Sequence, residues 1–224
     1  MRTLIIVAHP ELASSGTQQF LRRGAELVAA DWQPLSTDFN VATEQVKLRA
    51  AERIIWQFPL YWYSAPAILK AWQDQVLTSK FVLHEQGLAG KELGIVVTTD
   101  TKASDYQSGA AEQFTLAELL RPYQALANKA GLHWLPPFVI NQFRYQTESQ
   151  QQALLIAYQQ YLTLPQPATF TQRQHWFAQQ LQQMITNATG ERKTQLVLVE
   201  QQLAAKQDEL EELRWTIEQM RGDD

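Results

Sequence analysis

The feature that most constrains the fold is a strand–loop–helix unit in residues 54–77, IIWQFPLYWYSAPAILKAWQDQVL. A short apolar run from Ile54 to Phe58, interrupted only by Gln57, predicts a buried strand that ends at Pro59. After a loop, a proline stands where a first helical turn is expected, and apolar residues then recur at helical spacing. A buried strand that leads directly into an amphipathic helix is the unit from which parallel α/β sheets are built.

The same alternation of apolar runs and helical patterns extends over residues 1–162. Strands are predicted at residues 4–8, 32–35, 54–58, 90–99 and 138–140, and helices at 17–30, 43–51, 66–77, 115–130 and 147–162. Strands that alternate with helices predict a parallel sheet covered on both faces, an α/β three-layer sandwich. Five strands in this pattern favour the flavodoxin-like order 2-1-3-4-5, in which ligands bind at the carboxyl ends of the strands.

Three loops lie at that predicted edge: residues 9–18, 59–66 and 98–109. The first contains His9 and, just before a helix, the hydroxyls of Ser14, Ser15 and Thr17. Free amides and hydroxyls at a helix N-terminus are able to hold a phosphate. The alternative is an ordinary helix-capping cluster, since the loop matches neither of the common glycine-rich phosphate motifs.

The second loop concentrates large aromatic rings in a segment type that is usually polar. Its residues are Pro59, Leu60, Tyr61, Trp62 and Tyr63. One interpretation is that a flat, partly apolar ligand lies against these rings. The alternative is that they cover the sheet edge or an interface between subunits.

The third loop follows a predicted strand that ends at Thr98 and Thr99, and it contains Tyr106 as a hydroxyl that could reach a ligand ring. Asp100 and Asp105 are the acidic residues of this loop. Two carboxylates without a third ligand are weak grounds for a metal site, so we expect solvated side chains and no metal.

Composition limits the class of function. The formal net charge is −4, which does not favour a nucleic-acid partner. The absence of cysteine excludes disulfides, thiolate metal sites and a cysteine nucleophile. No apolar run reaches the length of a signal-peptide core or a membrane span, so we expect a cytoplasmic protein.

The composition changes after residue 163. We predict a domain of residues 1–163, a linker of residues 164–170 and a helical extension of residues 171–224. A heptad-like series follows in the extension: Leu196, Val199, Leu203, Lys206, Leu210, Leu213, Ile217 and Met220. Such spacing indicates a coiled coil between chains. The alternative is one amphipathic helix packed on its own domain.

Four segments together resemble the flavodoxin-like NAD(P)H:quinone oxidoreductases. They are AHPELASS, QFPLYWYSAPAILKAWQDQVL, GKELGIVVTTD and FTLAELLRPYQALANKAGLHWLPPFVI. The bacterial enzymes that resemble ancillary subunits of potassium-efflux systems are the most similar branch. The resemblance covers about residues 1–162 and leaves the extension outside.

This resemblance implies a bound flavin, FMN in the bacterial branch and FAD in others, with NAD(P)H as co-substrate. It implies homodimers and a ping-pong reaction, in which a hydride passes through flavin N5 to a quinone acceptor. The alternative is a non-catalytic or regulatory protein, such as a transporter-associated subunit, that acts through its coiled coil.

The resemblance also carries site residues over. His9 and Ser15 match the phosphate side, and the loop that borders the isoalloxazine ring is matched by Pro59, Leu60, Trp62 and Tyr63. Thr98 and Thr99 match the start of a turn beside the flavin. Tyr106 matches a tyrosine near the flavin carbonyls and is the candidate catalytic residue, able to stabilise negative charge on the reduced cofactor.

Two positions depart from the family pattern. Gln18 replaces an asparagine, and Asp100-Thr101 replaces a pair of glycines. Those glycines allow positive φ and close approach of backbone amides to the flavin, which a β-branched threonine does poorly. A carboxylate at Asp100 is also expected to oppose the negative charge of the reduced flavin.

Overall fold

The computed structural model describes residues 1–222, which divide into two compact units, residues 1–167 and a second unit that begins at Ala168. The strands are β1 (Thr3–Val7), β2 (Asp31–Pro34), β3 (Arg53–Pro59), β4 (Glu92–Thr99), β5 (His133–Trp134) and β6 (Phe138–Asn141). The α-helices of the first unit are α1 (Gly16–Leu27), α2 (Val41–Ala50), α3 (Ala67–Val76), α4 (Leu116–Leu119), α5 (Arg121–Lys129) and α6 (Glu148–Thr163). Those of the second are α7 (Phe170–Asn187) and α8 (Gly190–Gly222).

The strands form one parallel sheet in the order β2-β1-β3-β4, with β5 and β6 both paired to β4. The predicted flavodoxin-like order is therefore confirmed, but six strands replace the expected five because two short strands share the fifth position. Leu135, Pro136 and Pro137 separate them. The interruption falls there because proline has no N–H to donate to the ladder.

Both faces of the sheet are covered. In β1, Leu4 and Ile6 join a core cluster that includes Trp56 from β3, whereas Ile5 and Val7 join a second cluster. Successive side chains of a strand point to opposite faces, so every residue of β1 is buried. This double burial explains why the strand sequences are continuous apolar runs.

The single helix predicted over residues 115–130 is two helices, α4 and α5, in the structure. Thr115 caps α4 through a reciprocal capping box with Glu118. Pro122 lies in the first turn of α5, the one helical position where a missing N–H costs nothing. The proline therefore ends one helix and begins the next.

The second unit confirms the predicted helical extension, which consists of two helices. Ala188 and Thr189 separate α7 from α8. The final two residues of the predicted extension, 223 and 224, lie outside the described residues. The coiled coil and the sequence-based domain limits stay predictions. Within residues 1–222, none of the helices combines the length and the apolar character that crossing a bilayer requires.

Candidate functional site

A cleft of about 200 Å³ lies at the carboxyl edge of the sheet, where the ends of β1, β3 and β4 meet. It is lined by His9, Ser15, Thr17, Pro59, Leu60, Tyr61, Thr98, Thr99, Asp100, Thr101, Tyr106, Phe143 and Arg144. The three loops singled out from the sequence therefore meet at one place. Of the candidate ligand-binding residues, all but Ser14, Gln18, Trp62 and Tyr63 line the cleft, and their roles toward a ligand stay predictions.

The N-terminus of α1 forms one end of the cleft. The Ser15 hydroxyl accepts a hydrogen bond from the Gln18 backbone N–H at 3.3 Å, so it caps the helix. The hydroxyl thus performs the ordinary capping role that the sequence left open. The first backbone N–H groups of α1 have no acceptor inside the helix, and Thr17 lines the cleft beside them. This end is therefore rich in donors.

His9 follows β1 and is half-buried beside the same end. Its Nδ1 accepts a hydrogen bond from the Glu11 backbone N–H at 3.0 Å. Burial lowers the pKa of His9, and the negative charge of Glu11 partly opposes that shift. The hydrogen bond to Nδ1 assigns the proton of the neutral ring to Nε2, which leaves Nε2 as a donor.

Gln18 points into the protein instead of lining the cleft. Its Oε1 accepts from Gln57 Nε2 at 2.6 Å, and the Tyr158 hydroxyl donates to Gln57 Oε1 at 2.8 Å. Burial raises the pKa of Tyr158 well above its usual value, so its phenol stays a donor. These contacts make Gln18 part of a buried polar link between α1, β3 and α6.

The aromatic loop presents one ring to the cleft and turns two away. Tyr61 and Ser64 exchange backbone hydrogen bonds of 2.9 and 3.0 Å. The two residues between them, Trp62 and Tyr63, take left-handed backbone conformations with φ of 46° and 62°. Tyr61 lines the cleft, with its ring centroid 6.3 Å from that of His9. Trp62 is 93% exposed.

Tyr63 instead contacts the loop that follows β4. A hydrogen bond with the Glu112 carboxylate raises the pKa of Tyr63. Glu112 also donates its backbone N–H to the Asp105 carbonyl at 3.1 Å. Tyr63 therefore links two of the cleft-forming loops.

The turn after β4 is held by side chains. Thr99 Oγ1 donates to the Thr101 carbonyl oxygen at 3.0 Å, and Asn141 Nδ2 donates to that oxygen at 3.1 Å. Tyr106 is largely buried, and its hydroxyl donates to Thr101 Oγ1 at 3.4 Å. Neither Asp100 nor Thr101 takes a positive φ. The replacement of two glycines therefore imposes no left-handed strain at this turn.

Two cleft residues, Phe143 and Arg144, were missed from the sequence. Gln142 precedes them in a left-handed conformation with φ of 47° and donates its N–H to the Thr99 carbonyl at 2.8 Å. The Phe143 ring packs 5.0 Å from that of Phe20 on α1. No local motif marks these residues. The available signal was topological, since the loop after the fifth strand opens at the same sheet edge.

Fold and cleft together define a flavodoxin-like α/β domain with a polar, donor-rich site at the carboxyl edge of its sheet. The family model described as flavodoxin-like fold (Flavodoxin_2) matches residues 1–164, and the chain belongs to this family.

This chain is similar to two curated relatives over most of the length of each relative. The uncharacterized NAD(P)H oxidoreductase YrkL of Bacillus subtilis is 40% identical over 146 residues, which are 62% of this chain and 84% of the relative. The glutathione-regulated potassium-efflux system ancillary protein KefG of Escherichia coli is 34% identical over 172 residues, 73% of this chain and 94% of the relative.

Two crystal structures are also similar. One, of an NADPH-quinone reductase from P. pentosaceus, is 53% identical with a TM-score of 0.72, and the match covers 74% of this chain and 99% of that one. The other, of general stress protein 14 from Treponema denticola in complex with FMN, is 27% identical with a TM-score of 0.63. This match covers 72% of this chain and 96% of that one. The second unit lies outside the family match.

Proposed function

We propose that the chain is a flavin-dependent NAD(P)H:quinone oxidoreductase that binds FMN in the cleft at the carboxyl edge of the sheet. The observation that carries the proposal is the division of this cleft into a donor-rich end and an aromatic, apolar wall. The similar structures of an NADPH-quinone reductase and of an FMN complex support it.

The residues of the cleft fit a flavin mononucleotide. The free N–H groups of α1, the Thr17 hydroxyl and the Arg144 guanidinium are suited to a phosphate. Leu60 and Tyr61 supply the flat wall that an isoalloxazine ring requires. The residue that fits least is Asp100, whose carboxylate lines the cleft and makes no ion pair with another described residue.

A bound flavin supplies the chemistry of taking a hydride from NAD(P)H and passing it to a quinone. The chain itself binds the flavin, orients the reactants and excludes water from the cleft. His9 presents a neutral ring with a donor at Nε2, and Tyr106 holds Thr101 in place through its hydroxyl. In this proposal Tyr106 is the catalytic residue: it lines the cleft, and its phenol would exchange the long 3.4 Å hydrogen bond to Thr101 Oγ1 for one to developing negative charge. Reductant and acceptor use the same cleft in turn, a ping-pong order, and the chain acts as a homodimer.

The experiment is an absorbance spectrum of the purified full chain after incubation with FMN and removal of free ligand. We expect flavin absorbance to be retained, to bleach with NADH or NADPH without oxygen, and to return when a quinone is added. FMN treated identically without protein is the control. A chain that retains no flavin refutes the proposal, and one that retains a flavin that no nicotinamide reduces refutes its catalytic part.

A second candidate is a regulatory role at a membrane transporter. It is favoured by the similarity to the potassium-efflux ancillary protein, whose length the match covers almost completely. The test is co-purification of the tagged chain with a potassium-efflux transporter expressed in the same cells. Recovery equal to that of an unrelated membrane protein would remove this candidate without affecting the reductase proposal.

A further inference from the structure

The second unit is a helical hairpin whose two arms differ in length. At about 1.5 Å per residue, α7 with 18 residues is about 27 Å long and α8 with 33 residues is about 50 Å long. Gln182 of α7 donates a hydrogen bond to the Glu200 carboxylate of α8. This pair places the start of α7 beside about residue 212. The last turns of α8, residues 213–222, therefore extend beyond α7 as an overhang.

An apolar groove runs along the hairpin where α7 and α8 lie side by side. Its volume is about 600 Å³, and its lining includes Phe177 and Met184 from α7 and Val199 and Leu203 from α8. These four side chains are each between 43% and 53% exposed. Large apolar side chains gathered in an open groove indicate a surface that binds a partner.

The overhang continues the same apolar stripe of α8. Leu213, Ile217 and Met220 are between 50% and 70% exposed, and they follow Val199 and Leu203 at steps of three and four residues. An overhang with this spacing has the shape and chemistry to fill a groove lined by such side chains. One chain thus carries both the groove and a segment that fits it.

Lys206 favours one orientation of a pairing between two such helices. It is the one polar residue in the stripe, and its Nζ lies 2.7 and 2.9 Å from the carboxylate oxygens of Glu209. In a parallel, in-register pair the two Lys206 side chains would meet in the seam. In an antiparallel pair centred near residue 208, Lys206 lies opposite Leu210 and beside Glu209 of the second copy. The antiparallel pair therefore keeps the two lysine charges apart, while each lysine retains Glu209 of its own helix as a partner.

We propose that two copies of this chain associate through antiparallel α8 helices, and that the overhang of each copy fills the α7–α8 groove of the other. Leu213 then lies against Leu203 of the second copy, and Ile217 lies against Val199. The two contacts repeat by two-fold symmetry, as a closed dimer requires. This inference concerns the second unit alone and does not use the proposed oxidoreductase function.

The test is disulfide formation in the full chain, which contains no cysteine of its own. The three variants are Leu203→Cys, Leu213→Cys and the double variant. A disulfide needs Cα atoms within about 7 Å. Positions 203 and 213 of one helix are about 15 Å apart, so the double variant cannot close within one chain. We expect a covalent dimer from the double variant and none from either single variant.

The matched control is Gln201→Cys, alone and combined with Leu213→Cys. Gln201 is exposed on α8 but lies off the apolar stripe, so neither control is expected to form a dimer. Circular dichroism of each variant checks that the helices are retained. Covalent dimers from the single variants would establish parallel pairing and overturn the proposal. Absence of a dimer from the double variant with intact helices would overturn association through α8.

Discussion

The side-chain amide of Asn141 donates to the carbonyl oxygen of Thr101 at 3.1 Å and to Oγ1 of Thr99 at 2.8 Å. Asn141 is the last residue of β6, and in the sheet it pairs with Thr99, the last residue of β4. One side chain therefore fastens the turn after β4 to its neighbouring strand. This turn carries Asp100 and forms one wall of the cleft.

We expect Asn141→Ala to lower the free energy of unfolding by about 2 kcal/mol, because two partly buried hydrogen bonds are lost at about 1 kcal/mol each. The turn should also loosen, and FMN affinity should fall. Urea unfolding and flavin titration measure the two effects. Asn128→Ala, in an exposed position of α5, is the control and should change neither. Unchanged stability in Asn141→Ala would show that the turn keeps its conformation without the hydrogen bonds of Asn141.

Arg144→Ala should weaken FMN far more than riboflavin, since riboflavin lacks the phosphate. Loss of a charge-assisted contact of about 1.5–3 kcal/mol corresponds to roughly a 10- to 100-fold weaker Kd. Fluorescence titration with both ligands measures the difference. The matched control is Arg23→Ala, an exposed arginine on α1 that does not line the cleft. Equal losses for both ligands would mean that Arg144 contacts the ring or supports the loop.

Asp100→Asn should make the reduction potential of the bound flavin less negative. The substitution removes a negative charge from the cleft wall and so favours the reduced cofactor, which carries more negative charge. A tenfold change in the relative affinity for the two redox states corresponds to about 30 mV for a two-electron couple. We expect a shift of that order, measured with reference dyes. Asp105→Asn, near the cleft but outside its lining, controls for general charge effects; an equal shift there would contradict a specific role of Asp100.

His9 should make stability depend on pH in the mildly acidic range. Burial lowers the pKa of His9 below its ordinary value of 6.5, so the unfolded chain takes up the proton first as the pH falls. Stability attributable to His9 is therefore complete above pH 6.5 and decreases below it. Urea unfolding should show that the free energy of unfolding falls less between pH 7.5 and pH 5.5 in His9→Asn than in the unaltered chain. Identical losses would exclude this contribution.

Gly94→Ala should destabilise the first unit by about 1–3 kcal/mol through overpacking. A Cβ at this position in β4 would overlap the Tyr161 hydroxyl and lie 2.7 Å from Ile55 Cδ1. It would also disturb the 3.0 Å hydrogen bond from that hydroxyl to the Pro136 carbonyl. Gly16→Ala is the control, because a Cβ there meets no atom within 4 Å. Thermal unfolding compares the two, and equal melting temperatures would mean that Tyr161 moves aside without cost.

The parts of the fold that follow from the sequence are those set by burial. The strands β1, β3 and β4 are buried on both faces, so each is a long apolar run that only a central parallel strand explains. Their order then brought three loops to one edge of the sheet. The short strand β5 has two residues and gave no periodic signal. The interruption between α7 and α8 was not predicted, because the regular apolar spacing begins only at Leu196, after the interruption.

Side-chain directions within the loops could not be predicted, because they depend on backbone conformations that the sequence does not encode in a motif. Trp62 and Tyr63 turn away from the cleft because both adopt left-handed φ, which no glycine marks. Gln18 points inward because it joins a buried series of hydrogen bonds with Gln57 and Tyr158, two residues that are distant in the sequence. Such contacts exist only after the sheet has formed.

The prolines at the two margins of the sheet have a consequence for aggregation. The edge strand β2 ends at Pro34, and Pro136 and Pro137 separate β5 from β6 at the opposite side of the sheet. An unpaired strand is a template onto which a foreign strand can dock, but residues without an N–H interrupt that template. A short margin strand further limits the number of bonds that docking could form. Growth of the sheet from molecule to molecule is therefore disfavoured at both sides.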